Sequence, residues 1–478
     1  MDYEDALSAY KNGDFQRAVP LLEKVARETD YTSDVINHTY TLALYRIGEN
    51  QRLADVAFRI GRSLVQHDPG SAMDYFQRAM FAGLDAKRVR QIGEFFEVWA
   101  APSRTPRPSL NGTVNRVAHV IGCLSPDRPS AQYLNMLVAS LKKQGIESTI
   151  FTTESAASWF FNAATIPQSQ LMEIDAEVKI ASVEGDFLER ASRIAEALLT
   201  SGITVALFHA SLAEQITARV AAMRPVTVQV NVDHGAAMDA DLFDGYIHVF
   251  QNGMKRTRFS GPAQWIPPAS DIEMRLAASQ PVTRKDVGLE SAGSISATFG
   301  NLHKFAGSGY LGALSEILNR FPNHFHLFAG AGNVKAIRSH LHTEGVLPRV
   351  RFLGQVGDVA PLLDMVDVYL ASFPDSDDYS ILEAMGAGKS VVTLRLPADS
   401  DYNSGAGLVG VRELIAAGEG EYVTIADRLL RNPELRAKQG QAMLNRFRTE
   451  FGPDRLGERY KAFLELLQGS NGKRNTSE

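Results

Sequence analysis

VDVYLASFPDSDDYSILEAMGAGKSVVTL occupies residues 366–394. Two short runs rich in β-branched and aromatic residues, VDVYLAS and SVVTL, flank a helical segment, SILEAMGAG. A strand, a helix and a strand in that order mark a parallel sheet with helices on its faces. Three aspartates, Asp375, Asp377 and Asp378, crowd the turn before the helix. They read as a metal site, an N-cap or part of a ligand pocket. Asp377 or Asp378 suits the cap, and free backbone N–H groups beside Tyr379 and Ser380 would then receive an anion. Glu383 lies one turn further along, where a carboxylate can accept from both hydroxyls of a ribose.

The same texture extends in both directions. Downstream of residue 286, SISATFG, FHLFAG, VRFLG and VDVYLAS alternate with GYLGALSEILNRFP, KAIRSHLHTEG and APLLDMV. Upstream, VNRVAHVIGCL, IESTIFTT, ITVALFHA and VTVQVNVD alternate with helical segments over residues 116–285. Two doubly wound halves joined at a hinge are expected to carry a ligand cleft at their C-terminal strand edges. The loops after strands therefore matter. In ATFGNLHKFAGSGYLGALSEIL, Gly300 and Asn301 turn the chain, and Lys304 is placed to pair with a diphosphate. On these residues alone Lys304 reads equally as a solvated loop lysine. Gly330 and Gly332 in FAGAGN lack the spacing of a dinucleotide fingerprint, and a tight turn explains them as well.

The first hundred residues differ. YKNGDFQRAVPLLEKVARE and YRIGENQRLADVAFRIGRSLVQHDP share an aromatic, a glycine, an acidic residue and an amphipathic helix. Gly13, Gly48 and Gly83 recur at an interval of about 35 residues, close to that of a helix–turn–helix repeat. Such an array offers a concave surface for a polypeptide. APSRTPRPSLNGT then reads as a linker. The organisation expected is a tetratricopeptide-like domain over 1–100, a linker over 101–115, an α/β domain over 116–285, a second over 286–467 with a closing helix, and a polar tail over 468–478.

The chain has 478 residues, 45% of them hydrophobic and 22% charged, with a formal net charge of −6. That balance argues against a nucleic-acid partner. One cysteine, Cys123, excludes an internal disulfide and fits a reducing, cytoplasmic setting. No apolar run is long enough to span a membrane, and the acidic N-terminus does not read as a signal peptide.

The C-terminal half resembles the nucleotide-sugar-binding half of GT-B glycosyltransferases, and within them the O-linked N-acetylglucosamine transferase family and its bacterial relatives. Phe299, Leu302 and Lys304 match that family's F-x-x-L-x-K stretch, which implies diphosphate contacts for Asn301 and Lys304. VRFLGQVGDVAPLLDMVDVYL resembles the region that reads the base, implicating Gln355 and Val356. In DDYSILEAMGAGKSVVTL, the match puts Tyr379 and Ser380 at phosphate-binding positions and Glu383 at a ribose-binding one. Asp375 and Glu383 also fit, in part, the E-x7-E pattern of retaining GT-B families. The resemblance implies a GT-B fold with a helical repeat domain in front. It also implies a metal-independent glycosyltransferase using a nucleotide sugar, UDP-linked by family likeness, with no cofactor and with serine or threonine of a protein as acceptor. A glycan acceptor and a non-catalytic binding role are the alternatives, and the oligomeric state is open.

The family's histidine after the first strand has no counterpart in SPDRPSAQYLN. Candidates for a base are His209, at the end of ITVALFHA, and the pair Asp233–His234, at the end of VTVQVNVD. His119, inside the first strand, reads as a core residue. Asp375-Ser376-Asp377 resembles a D-x-D metal motif that belongs to a different fold, and two carboxylates are few for a hard cation.

Overall fold

The structure, a computed structural model, describes residues 2–82, 86–100, 114–122, 124, 129–152, 172–180, 187–209, 215–234, 242–256, 259–306, 308–397, 400, 402 and 404–474. Gly83, Cys123, most of the expected linker and the first residues of SPDRPSAQYLN lie outside that set.

Six helices follow one another at the start: Asp2–Lys11, Phe15–Glu28, Asp34–Arg46, Asn50–Leu64, Pro69–Phe81 and Ala86–Ala100. Gly13 and Gly48 close the turns before the second and fourth at φ +78° and +77°, a backbone state that a side chain disfavours. The acidic residue after Gly13 has a local task. Asp14 caps the next helix, its Oδ1 accepting from Arg17 N–H at 3.2 Å. Glu49, after Gly48, makes no such bond.

Among the described residues thirteen strands form two sheets. The first contains β1 (Arg116–Ile121), β2 (Glu147–Thr152), β3 (Glu177–Ile180), β4 (Val205–Phe208), β5 (Val228–Asp233), β6 (Gly245–His248) and β7 (Ala263–Trp265) in the order β3-β2-β1-β4-β5-β6-β7. The second contains β8 (Ser294–Phe299), β9 (His324–Ala329), β10 (Val350–Phe352), β11 (Val368–Leu370), β12 (Ser390–Leu394) and β13 (Ile415–Ala416) in the order β10-β9-β8-β11-β12-β13. The pairs from β3 to β6, and all those of the second sheet, are parallel. Strand order reverses direction at β1/β4 and at β8/β11, the positions where α/β folds bind ligands. Among the described residues no helix is long and apolar enough to cross a membrane.

The chain divides into two compact units, one of Met1–His248, Thr257–Gln264 and Lys461–Glu478, the other of Val249–Arg256 and Trp265–Tyr460. This departs from the expected boundaries. The helical region is continuous with the first α/β domain, the change near 285 falls at Trp265, and the tail is helical to Arg474. The cause is a shared core. Alternate residues of the first sheet, Ala118, Val120, Phe151, Ala206 and Phe208, belong to one buried cluster with Leu22, Tyr40 and Phe76 of the helices. The opposite face puts Ile121 and Ile150 against Leu134 and Val138 of the helix Pro129–Lys143. The final helix, Pro453–Arg474, is shared: from Lys461 it belongs to the first unit, where Phe463 and Leu467 lie against Gly245 of β6, 3.1 and 3.0 Å from where a Cβ would stand.

Arg219 of the helix Gln215–Met223 donates to Asp74 of the helix Pro69–Phe81 at 2.9 Å. Its side chain is only 3% exposed. Removing one partner of a buried ion pair leaves the other charge without compensation, whereas replacing both with apolar groups is often tolerated. Asp74 is 27% exposed, so Asp74→Ala is expected to lower unfolding stability by about 1–2 kcal/mol, less than for a fully buried pair, and Asp74→Leu with Arg219→Leu to recover most of it. Urea titration of the full chain checks both.

Candidate active site

In the second unit, three loops converge at the C-terminal ends of β8, β9 and β10. Gly300 N–H donates to Ala329 O at 2.9 Å, Leu302 N–H to Ala331 O at 2.9 Å, and Gly330 N–H to Gly354 O at 2.7 Å. Gly300 and Gly330 have φ of +128° and +150°. A Cβ on Gly330 would overlap the carbonyl of Gly300, and one on Gly300 would meet Asp377 Oδ2 at 2.9 Å. These glycines allow close approach of backbone. Asn301, beside them, is exposed.

The turn Leu302–Ala306 carries Lys304 across to the loop after β11. Lys304 Nζ lies 3.5 Å from Asp377 Oδ2 and 3.9 Å from Asp375 Oδ2, and donates to Ser376 O at 3.3 Å. Burial acts to lower the pKa of the ammonium, but Asp377, Asp375 and Asp378 outweigh it, and the value stands raised. The reading of Lys304 as a solvated loop residue is thereby removed.

Asp377 caps the helix Asp378–Gly386. Its Oδ1 accepts from both the N–H and the hydroxyl of Ser380, each at 3.2 Å. Asp378 is buried as the first helical residue. Tyr379 and Ser380 stand at the helix start, as the sequence suggested, and of the two Ser380 donates to the capping carboxylate of Asp377.

Glu383, one turn along, is also engaged. Arg275, on the helix Ile272–Ala278, pairs with Glu383, with Asp358 and, at 2.8 Å, with Asp271. Burial pushes the Glu383 carboxyl up to about 7 against the opposing charge of Arg275. Asp358 follows Gln355, which is exposed, and Val356, which is half-buried, in the loop after β10. Arg275 therefore joins the loop of Gln355 and Val356 to the helix of Glu383. This joint is invisible in the sequence, because Asp358 and Glu383 stand 83 and 108 residues from Arg275.

In the first unit a second group gathers at the β1/β4 reversal. His209, just after β4, lies between His119 of β1 and His234 after β5. His119 Nδ1 is 3.0 Å from His209 Nε2, and His209 Nδ1 is 3.1 Å from His234 Nε2. The ring of Tyr133 meets that of His234 edge-on at 5.1 Å. Burial holds His119 down to about 3 and, against the pull of Asp233, His234 down to about 4, while burial with the neighbouring rings keeps His209 well below its usual value. All three imidazoles are neutral at pH 7. Asp233 is buried and its Oδ2 lies 2.9 Å from His248 Nδ1. Among the described residues no group of three His, Cys, Asp or Glu side chains is placed to hold a metal ion.

Residues 297–431 match the family described as Glycosyl transferases group 1, so the chain carries such a domain. No curated protein sequence matches the chain significantly. Among solved structures, it is similar to a mutant of Thermobaculum terrenum O-GlcNAc transferase, at 16% identity and TM-score 0.55, over 98% of this chain and 97% of that one. It is similar to Anabaena Alr3699/HepE in complex with UDP-glucose, at 15% identity and TM-score 0.55, over 74% of this chain and 99% of that one. A glycosyltransferase from Rickettsia africae aligns at 12% identity and TM-score 0.57, over 75% of this chain and 99% of that one. The fold is GT-B.

Two outcomes follow from this geometry. Gly330→Ala is expected to force the β8 and β9 loops apart, lowering the melting temperature of the full chain together with nucleotide affinity by calorimetry. Glu383 has a folded pKa of about 7, above its ordinary 4.5. Between those values the folded chain holds a proton that the unfolded chain has released, so stability falls as pH rises through that window and levels above it. The slope cannot exceed about 1.4 kcal/mol per pH unit for one proton. Urea midpoints of wild type and Glu383→Gln across pH 4.5 to 8 check it; the Gln variant should lack that slope.

Proposed function

We propose that this glycosyltransferase moves a sugar from a UDP-sugar, UDP-GlcNAc foremost, to a hydroxyl of a serine or threonine on a protein, in a reducing compartment such as the cytoplasm. The carrying observation is the position of Lys304 within the segment that matches the group 1 family. It stands beside Gly300 and Asn301, at the β8/β11 reversal where α/β folds bind ligands. Its contacts with Asp377 and Asp375 are longer than the 2.7–2.9 Å of strong charge-assisted bonds. An arriving diphosphate competes with those contacts for the ammonium. Lys304 and the amide of Asn301 then meet the charge that develops on the leaving diphosphate, without a metal in this scheme.

Gln355 and Val356 flank the base, held in position through Asp358 and Arg275. Glu383 meets the ribose with Arg275 as its counter-charge. His234, half-buried just beyond β5, takes the proton of the attacking hydroxyl at its Nδ1. A protein acceptor is supported by the likeness to an O-GlcNAc transferase structure over nearly the whole chain, helices included. A glycan acceptor is the second reading, because the Anabaena and Rickettsia structures align almost in full with about three-quarters of this chain.

Lys304→Ala is expected to lower kcat/KM for nucleotide release from UDP-GlcNAc by about 10²–10³-fold. Unchanged release would remove Lys304 from the reaction. Intact-protein mass spectrometry of candidate acceptors separates the two acceptor classes: a mass gain of one sugar supports protein, and transfer to glycans alone supports the other.

A further inference from the structure

The histidine contacts continue past the three rings. His119 Nε2 lies 3.1 Å from Ser148 Oγ, so an unbroken series runs Ser148–His119–His209–His234 with links of 3.1, 3.0 and 3.1 Å. Ser148 sits near the start of β2 and is half-buried, whereas His119 and His209 are fully enclosed. The series thus joins two partly exposed ends through an enclosed interior. Each N···N link needs one N–H and one lone pair. Neutral rings can therefore satisfy it in only two ways, every proton pointing towards Ser148 or every proton pointing towards His234.

We infer that Ser148, His119 and His209 form a proton relay behind His234, which carries the acceptor's proton from the site to solvent at Ser148. This rests on the reading of His234 as the base. In the first arrangement His234 Nδ1 is bare. The attacking hydroxyl gives its proton to that nitrogen as the new glycosidic bond forms and the diphosphate departs. His234 passes its Nε2 proton to His209 Nδ1, His209 its Nε2 proton to His119 Nδ1, and His119 its Nε2 proton to Ser148 Oγ. Ser148 releases its own proton to water. The rings end neutral in the second arrangement, with a proton on His234 Nδ1. After product leaves, that proton goes to water and the relay runs back, Ser148 taking a proton from solvent.

The relay answers a problem that the buried rings create. An imidazole held neutral by its surroundings is available as a base but keeps a captured proton poorly. Passing a proton on in concert avoids fixing a charge on any one ring. His234 is the group that meets substrate; Ser148, His119 and His209 act through it as positioning residues.

The experiment compares Ser148→Ala, Ser148→Thr, His119→Gln and His234→Ala in the full chain, with nucleotide release from UDP-GlcNAc and UDP-glucose as the readout. Ser148→Ala is expected to lower kcat about tenfold or more while leaving the donor KM unchanged. Its proton inventory in mixed H2O and D2O should change from curved to linear, and Ser148→Thr should restore both. Loss of activity in His234→Ala with wild-type kcat and inventory in Ser148→Ala and His119→Gln would overturn the relay and leave the base in place. Full activity in His234→Ala would overturn the base. Nitrogen-15 spectra of histidine-labelled protein test the coupling with or without turnover. Ser148→Ala should shift the tautomer balance of His234, which it does not touch, and an unchanged balance overturns the relay.

Discussion

No side chain fits between the carbonyl of Gly300 and the Cα of Gly330, and the loops at the C-terminal ends of the second sheet are arranged around that contact. Backbone bonds between the β8, β9 and β10 loops lock three strand ends into one surface. Because the glycines let the loops meet, Lys304 leaves its turn at a height from which it reaches the loop after β11. A chain with any other residue at position 330 would have to open this surface before a ligand arrived.

Charge at the site is arranged in two nodes of opposite character. At one, a single ammonium is shared by acidic residues, one of which also caps a helix. At the other, the guanidinium of Arg275 is shared by Asp271, Asp358 and Glu383. Each node fastens segments distant in sequence, and each leaves an acidic surplus that only the protein's own cations offset. A planar fork with five donors suits the second node, since it bonds several carboxylates in fixed directions. The point charge of lysine suits the first, where the two carboxylates stand at 3.5 and 3.9 Å without a shared fork geometry.

Much of this was legible because it is local. The alternation of strands and helices in both halves, the helix after the aspartates, the turns at Gly13 and Gly48 and a cap at the Asp377–Asp378 step depend on residues a few positions apart. Gly300, Asn301 and Lys304 could be placed at a strand end for the same reason. Arg275 could not, since its short helix gains meaning only from acids far along the chain. His209 and His234 were visible one by one at strand ends, but their union with His119 depends on strand order, which brings β4 beside β1. The grouping of the helical region with the first sheet was not legible, because a core shared by helices and a sheet leaves no mark in composition.

The first unit is made of three pieces of chain, and its third piece is made only after the whole of the second unit. Until residues 461–474 leave the ribosome, the flank of β6 at Gly245 lacks Phe463 and Leu467, and the second unit has been made in full while that apolar surface stands open. Domains that complete themselves from the N-terminus onwards can bury their cores as they emerge. This one cannot. Its assembly waits on residues that follow the second unit, and a ribosome that stops short of Leu467 releases a protein in which every described strand is made and one of them is uncovered.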